Sequence, residues 1–218
     1  ALFPYTTLFR SIHRIGRETV LCFDELSRRA GEFSKRRPRT RSDDPSDAGG
    51  IMRVLVACEF SGTVRDAFSA RGHDAWSCDI LPTEAPGNHI QGDVRGVMCE
   101  GWDLMVAHPP CTYLARSGAH WLARDPQRNA KMIAAREFFL DLLNAPIPKK
   151  AIENPNPFSG AGLPQSTQRI EPYYFGDPYR KSTHLWLVNL PPLMATVQTS
   201  TIKDFIGTRR SPHARSKF

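Results

Sequence analysis

The sequence predicts an α/β fold: a mostly parallel sheet with helices packed on its faces. Two apolar runs and one helix carry that expectation. Arg53 to Cys58 (RVLVAC) is a continuous apolar run, the pattern of a strand buried on both faces. It ends in Glu59-Phe60-Ser61-Gly62. A helical stretch from Thr63 to Arg71 follows, with Val64, Ala67 and Phe68 on one face and Gly72 as its stop. Leu104 to Ala107 is the second run, entered at Asp103 and left through the stiff Pro109-Pro110 turn, which presents Cys111. In Gln127 to Asn144, Met132, Ala135, Phe139, Leu142 and Leu143 recur at helical spacing and form a stripe for the sheet.

The remaining elements fall between these. Asp74 to Cys78 reads as a second strand ending at Asp79. His89 to Gln91 reads as a third, ending in Gly92-Asp93, and Pro82, Pro86 and Gly87 make the stretch between them a loop. The long helix opens at Asp125 or Pro126, and Pro146 and Pro148 end it. Ala151-Ile152 begins a fifth strand that delivers Glu153-Asn154-Pro155. Asn156 to Thr167 is expected to be loop. Leu185 to Val188 is expected to be a strand, with Lys181 and Thr183 projecting from its start and Pro191-Pro192 at its end. There are no internal repeats.

At 218 residues the chain suits one domain plus extensions, and it has no apolar run long enough to span a membrane. Its five cysteines (22, 58, 78, 99 and 111) form no CxxC and no zinc-spaced set. That usage points to reduced thiols in a reducing compartment, without a structural metal. The net charge of +7 lies in the flanks. Residues 1–51 hold 10 basic and 7 acidic residues, residues 196–218 hold 5 and 1, and residues 52–195 hold 14 of each. The charge balance of the core therefore names no partner.

Residues 1–51 are expected to be a disordered or non-native extension. Arg36 to Ser46 (RRPRTRSDDPS) has no apolar periodicity, although Leu21 to Phe33 could make a short helix. Tyr5 to Ser11 (YTTLFRS) reads as the translation of a common sequencing-adapter end, so residues 1–11 are expected to be an assembly artefact, with Met52 as the natural start. Gly49-Gly50 could be encoded by a ribosome-binding sequence. The alternative is a genuine basic arm. The stretch lacks the apolar core of a secretory signal. Residues 52–195 form the expected catalytic domain, and residues 196–218 a basic tail, truncated at its end.

Three groups have the chemistry of a site. In open α/β sheets ligands bind beyond the carboxyl ends of the strands. Cys111 would sit there, although a lone cysteine is more often a small buried hydrophobe. Asp79 would reach ribose hydroxyls, unless it is an ordinary loop acid. Glu153 would share the edge with Cys111, unless it caps a helix.

Four motifs in order resemble those of the DNA cytosine-5 methyltransferases, most closely the small phage-encoded proteins of that kind. Glu59-Phe60-Ser61-Gly62 is similar to the FxG part of the family's FxGxG motif. His108-Pro109-Pro110-Cys111-Thr112 is similar to PPCQ, Glu153-Asn154-Pro155 to ENV, and Phe175 to Thr183 to YGxPQxRxR. The likeness covers roughly residues 52–190. It implies a Rossmann-like methyltransferase fold that uses S-adenosylmethionine and acts on cytosine in DNA, in a bacterial host's cytoplasm, phage-encoded or from a prophage. It implies cofactor contacts from Glu59, Phe60, Ser61, Gly62, Pro109 and, by position, the ribose and adenine acids Asp79 and Asp93. Cys111 would be the nucleophile, Glu153 the carboxyl group at the ring N3, and Asn154 the residue holding the loop. Substrate contacts would fall to Thr112, Arg180, Lys181 and Thr183.

The chemistry matches those residue types. Cytosine C5 is too weak a nucleophile to take a methyl group directly, and a thiolate adding at C6 makes the ring an enamine. This sequence departs from the family at several points. Thr112 replaces Gln, Pro155 replaces Val, and Lys181 and Thr183 stand where two arginines are expected, leaving Lys181 or Arg180 to touch the base. Residues 191–218 carry no counterpart of the family's recognition region or last cofactor motif, so a separate DNA-recognition protein is an expected partner. Two alternatives stand beside this reading. One is a DNA amino-methyltransferase, against which His108 and Cys111 argue. The other is a methyltransferase-like binding protein without turnover.

Overall fold

The computed structural model describes residues 50–122, 124–175 and 181–196. Nearly all of the expected N-terminal extension and of the basic tail, Arg180 and the centre of the 175–183 motif lie outside these residues.

Seven strands form one sheet: β1 (Arg53–Ala57), β2 (Asp74–Asp79), β3 (His89–Gln91), β4 (Leu104–Ala107), β5 (Lys149–Pro155), β6 (Gln168–Ile170) and β7 (Thr183–Val188). Their order is β3-β2-β1-β4-β5-β7-β6. Strands β1 to β5 are parallel, and β7 runs antiparallel to both β5 and β6. Two α-helices are present among the described residues: α1 (Thr63–Ser69) and α2 (Arg128–Asn144).

Strand residues alternate between two apolar layers. Val54, Val56, Leu104, Val106, Ala151, Leu185 and Leu187 pack with Val64 and Phe68 of α1. Leu55, Ala57, Met105, Ala107, Ile152 and Trp186 pack with Met132, Phe139 and Leu142 of α2. Ala135 and Leu143 are partly buried against the same layer, so the α2 stripe is core, as its spacing predicts. The fold is Rossmann-like, a mostly parallel sheet between helices, which is the class expected from the apolar runs.

Four elements differ from expectation, one of them β7, which starts at Thr183, ahead of the expected Leu185, where Thr183 pairs with both Pro155 and Ile170. Strand β6 falls where no strand is predicted, because its three residues Gln168-Arg169-Ile170 are too few to carry an apolar period and their strand character comes from pairing with β7. Strand β5 starts at Lys149, ahead of the expected Ala151. Lys150 is 6% exposed, and its Nζ donates to the Ala145 carbonyl 2.7 Å away, which lets a charged side chain enter a buried strand. Helix α1 ends at Ser69, and Gly72, at φ +83°, makes the left-handed turn that follows.

Candidate active site

All the parallel strands deliver their carboxyl ends to one edge. Because β7 is reversed, its first residue Thr183 pairs with Pro155 and joins that edge. The central strands β1 and β4 are where successive strands diverge to opposite sides, the place where open sheets hold ligands.

One half of the edge lies beyond β1, β2 and β3. Cys58, just past β1, takes a left-handed φ of 59°, and the chain then turns through Glu59 to Gly62 into α1. Glu59 is 3% exposed and does not project its charge outward. Its Oε1 accepts hydrogen bonds from the Val64 amide (2.7 Å) and Ser61 Oγ (3.0 Å), and its Oε2 from the Arg65 amide (3.4 Å). The carboxylate thus satisfies the orphan donors at the start of α1. Ser61, named with it for the cofactor, is spent in the same turn. Gly62, at φ +78°, has its vacant Cβ position filled by the Arg65 guanidinium, whose Nη2 would be 2.4 Å from an added carbon. Its lack of a side chain therefore serves this internal approach. Phe60 is half-buried, and its carbonyl accepts from the Glu84 amide at 2.8 Å, tying the following loop to the turn.

Arg65 builds that loop, and the sequence reading passed over it. Its side chain is 1% exposed. It donates to Ser77 Oγ, Thr83 Oγ1 and the carbonyls of Ala85 and Pro86, and its Nε pairs with Asp66 at 2.8 Å. An arginine between Val64 and Phe68 on an otherwise apolar helix face was the available signal.

Asp79 is half-buried at the end of β2. Its Oδ1 accepts from the Leu81 amide at 3.0 Å. Burial raises its pKa, opposed by that amide and by His89. Beside it Ile80 is 71% and Leu81 40% exposed, an apolar pair that the sequence reading also left unused. At Asp93, expected at the adenine, Arg95 closes on the carboxylate, with Nε 3.1 Å from each oxygen and the Arg95 amide 3.0 Å from Oδ1. Those bonds, first of all the side-chain ones, hold its pKa below the usual carboxylate range. Cys58 and Cys78 border the two acids. Burial, then Asp79, pushes both thiols up, Cys78 to about 11.

The other half lies beyond β4, β5 and the start of β7. The register sets Ala107 beside Ile152, so the next residues, His108 and Glu153, fall side by side. His108 Nδ1 is 3.7 Å from Glu153 Oε2, with both side chains mostly buried. Pro109 is buried and Pro110 exposed. Cys111 is 8% exposed and opens a turn in which its carbonyl accepts the amides of Leu114 and Ala115. Burial raises its pKa to about 11; the charge of Glu153 adds to this and that of Lys181 opposes it. Thiol, carboxylate and ammonium therefore share one electrostatic neighbourhood.

Asn154 is fully buried on the opposite face of β5 from Glu153. Neither of its amide atoms has a hydrogen-bond partner among the described residues. Thr112 is exposed, and its carbonyl accepts from Arg128 Nη2 at 2.8 Å. Lys181 and Thr183 are half-buried, and Thr183 Oγ1 donates to the Lys181 carbonyl at 3.2 Å. Arg180 lies outside the described residues.

The structure thus sets His108 against Glu153 at the edge that the Cys111 turn and Lys181 share, and places Phe60 and Asp79 at the other half of the same edge. Among the described residues no group of three or more His, Cys, Asp or Glu side chains could hold a metal ion, and no helix is long and apolar enough to cross a membrane.

No protein-family model and no curated protein sequence matches the chain. The solved structures that match the chain include methyltransferases. The bifunctional kinase-methyltransferase WbdD aligns over 82% of this chain and 41% of its own, at 10% identity and a TM-score of 0.44. The plantazolicin methyltransferase BpumL, in complex with SAH, aligns over 70% of this chain and 54% of its own, at 15% identity and a TM-score of 0.36. A Burkholderia thailandensis 1,6-didemethyltoxoflavin-N1-methyltransferase, with S-adenosylhomocysteine bound, aligns over 84% of this chain and 86% of its own, at 12% identity and a TM-score of 0.38. The chain spans about two fifths of WbdD and about half of BpumL. The fold is Rossmann-like: seven strands in the order β3-β2-β1-β4-β5-β7-β6, with β7 reversed.

Proposed function

We propose that the chain transfers a methyl group from S-adenosylmethionine to C5 of cytosine in DNA, with Cys111 adding at C6. The observation that carries this reading is the placement of the Pro109-Pro110-Cys111 turn directly after β4, at the edge where β5 sets Glu153 against His108 and the start of β7 comes in beside Pro155.

The residues beyond β1 and β2 fit the cofactor. Asp79 is a half-buried acid at the end of β2, suited to ribose hydroxyls, and exposed Ile80 beside it offers an apolar face to a purine. Phe60 lies at the intervening turn. Asp93 would have to release Arg95 to meet the adenine amine. Bound S-adenosylmethionine supplies an electrophilic methyl carbon.

The chain's own residues prepare the base. A thiol with its pKa near 11 is almost wholly protonated at neutral pH, so addition at C6 requires it to give up its proton. Glu153 is placed to hold a proton at N3 while charge develops on the ring, and His108 stands beside it to orient and share that proton. Lys181 offers positive charge to the thiolate and to the base's O2. A base in a duplex must leave the stack to reach this edge.

The test is incorporation of a labelled methyl group into DNA, with the methylated position read from the released nucleosides and Cys111→Ser as control. Transfer by the wild type and its loss in Cys111→Ser supports the reading. Equal transfer by both would move the reaction to an exocyclic amine, the amino-methyltransferase alternative. A second reading, a binding protein without turnover, is favoured by the raised Cys111 pKa and by the closed Asp93–Arg95 pair. It predicts cofactor or DNA binding with no transfer.

A further inference from the structure

The core as a whole is electrically neutral, yet one short segment after Cys111 is not. Between Thr112 and Lys131 there are four cations, Arg116, Arg124, Arg128 and Lys131, against the single acid Asp125. The same segment exposes an indole: Trp121 is 47% exposed and closes a 3-10 turn, Arg116–Trp121. The Arg124 guanidinium lies 5.5 Å from the Trp121 ring centroid, and the His120 ring 4.9 Å from it.

The stem of this segment is fixed at the candidate site. The Ala115 amide donates to the Cys111 carbonyl at 2.9 Å, and Ala115 bridges Pro157. The Arg116 amide donates to the Asn156 carbonyl at 2.9 Å, two residues past Asn154. The far end is held by Arg128, which reaches back to the Thr112 carbonyl and stacks over Tyr113 at 5.0 Å. Trp121, Arg116 and Arg124 therefore stand on a loop whose two ends are tied beside the thiol.

We propose that this loop binds a single-stranded polynucleotide, with an unpaired base stacked on Trp121 and phosphates held by Arg116 and Arg124. Exposed aromatics interleaved with arginines are how single strands are held without sequence readout. Stacking needs a free base face, which paired bases inside a duplex do not offer. Between Arg116 and Arg124 the described residues form no α-helix to enter a major groove, only the 3-10 turn. The inference rests on the proposed function only in placing the acceptor base at Cys111, and it narrows the substrate to unpaired strands.

The experiment is fluorescence anisotropy with a dye-labelled oligodeoxycytidine strand, free and annealed to its complement. It uses the full chain as wild type, Trp121→Ala and Trp121→Phe. The single strand should bind more tightly than the duplex, and its affinity should fall steeply with salt. Trp121→Ala should weaken binding roughly 5- to 150-fold, while Trp121→Phe keeps most of it. Duplex preference, equal binding by Trp121→Ala, or no binding of either strand would overturn the inference. Single-strand binding lost in Trp121→Ala, in a wild type that never transfers methyl groups, would uphold it and sink the catalytic reading. Cytosine methylation with an unchanged KM in Trp121→Ala would do the reverse.

Discussion

His108 Nδ1 stands 3.7 Å from Glu153 Oε2, a meeting fixed one residue earlier by the pairing of Ala107 with Ile152. The carboxylate is therefore held by two neighbouring parallel strands rather than by a loop, which favours precise placement against a base. Glu153→Gln should keep the fold and lose about 10²–10⁴-fold in methyl-transfer rate, the usual share of a general acid–base group. Single-turnover transfer from labelled cofactor, paired with a melting curve, checks this. A rate within a factor of a few of wild type would remove Glu153 from the chemistry.

The thiol itself reports its neighbours. Burial and then Glu153 raise the Cys111 pKa to about 11, and Lys181 pulls it down. Glu153→Gln should therefore shift the pH profile of Cys111 alkylation to lower pH, and Lys181→Met should shift it to higher pH. Iodoacetamide labelling followed by peptide mapping gives both profiles. Shifts of the opposite sign would mean that the three groups do not share one neighbourhood.

Arg65 holds the loop between β2 and β3. Four acceptors depend on its guanidinium, which is sealed from solvent. Arg65→Met should cost about 2–4 kcal/mol, because buried acceptors are left unpaired. Arg65→Lys should recover little of that loss, since an ammonium cannot reproduce the planar fork. Denaturant unfolding measures both. Arg65→Lys as stable as wild type would contradict the geometry.

The parallel sheet was legible because β1 and β4 are continuous apolar runs and the α2 stripe recurs at helical spacing. The edge carrying Cys111, Glu153 and Asp79 followed from strand ends alone. What stayed hidden was written in partners distant along the chain. Arg65 reaches Pro86, 21 residues on, and Glu59 folds back on the amide of Val64 instead of facing the cleft. The Asp93–Arg95 closure is local, but nothing in the spacing tells a cofactor acid from one that pairs with its own neighbour. His108 drew attention for what it replaces, while its position opposite Glu153 required the strand register.

Alkaline stability should carry the mark of the buried thiols. Cys78 and Cys111 are raised from an ordinary 9.0 to about 11 in the folded protein. Between those values the unfolded chain binds fewer protons than the folded one, so unfolding releases protons and rising pH favours it. The stabilisation is complete below pH 9 and is lost as pH climbs through about 11. Melting temperature should fall across that window, and less steeply in Cys78→Ser and Cys111→Ser. Parallel curves for wild type and both variants would mean that the thiols titrate freely.

The central claim is that Cys111 bonds covalently to the cytosine ring, and trapping on DNA containing 5-fluorocytosine tests it most directly. Fluorine at C5 cannot leave as a proton, so after methyl transfer the adduct cannot eliminate. With S-adenosylmethionine present, wild type should form a denaturant-resistant protein–DNA species whose peptide map places the DNA on Cys111, and Cys111→Ser should form none. Cys58, Cys78 and Cys99 should tolerate Ser in the same assay, apart from effects on stability. Methylation of ordinary DNA without any trapped species, or trapping that survives Cys111→Ser, would contradict the account.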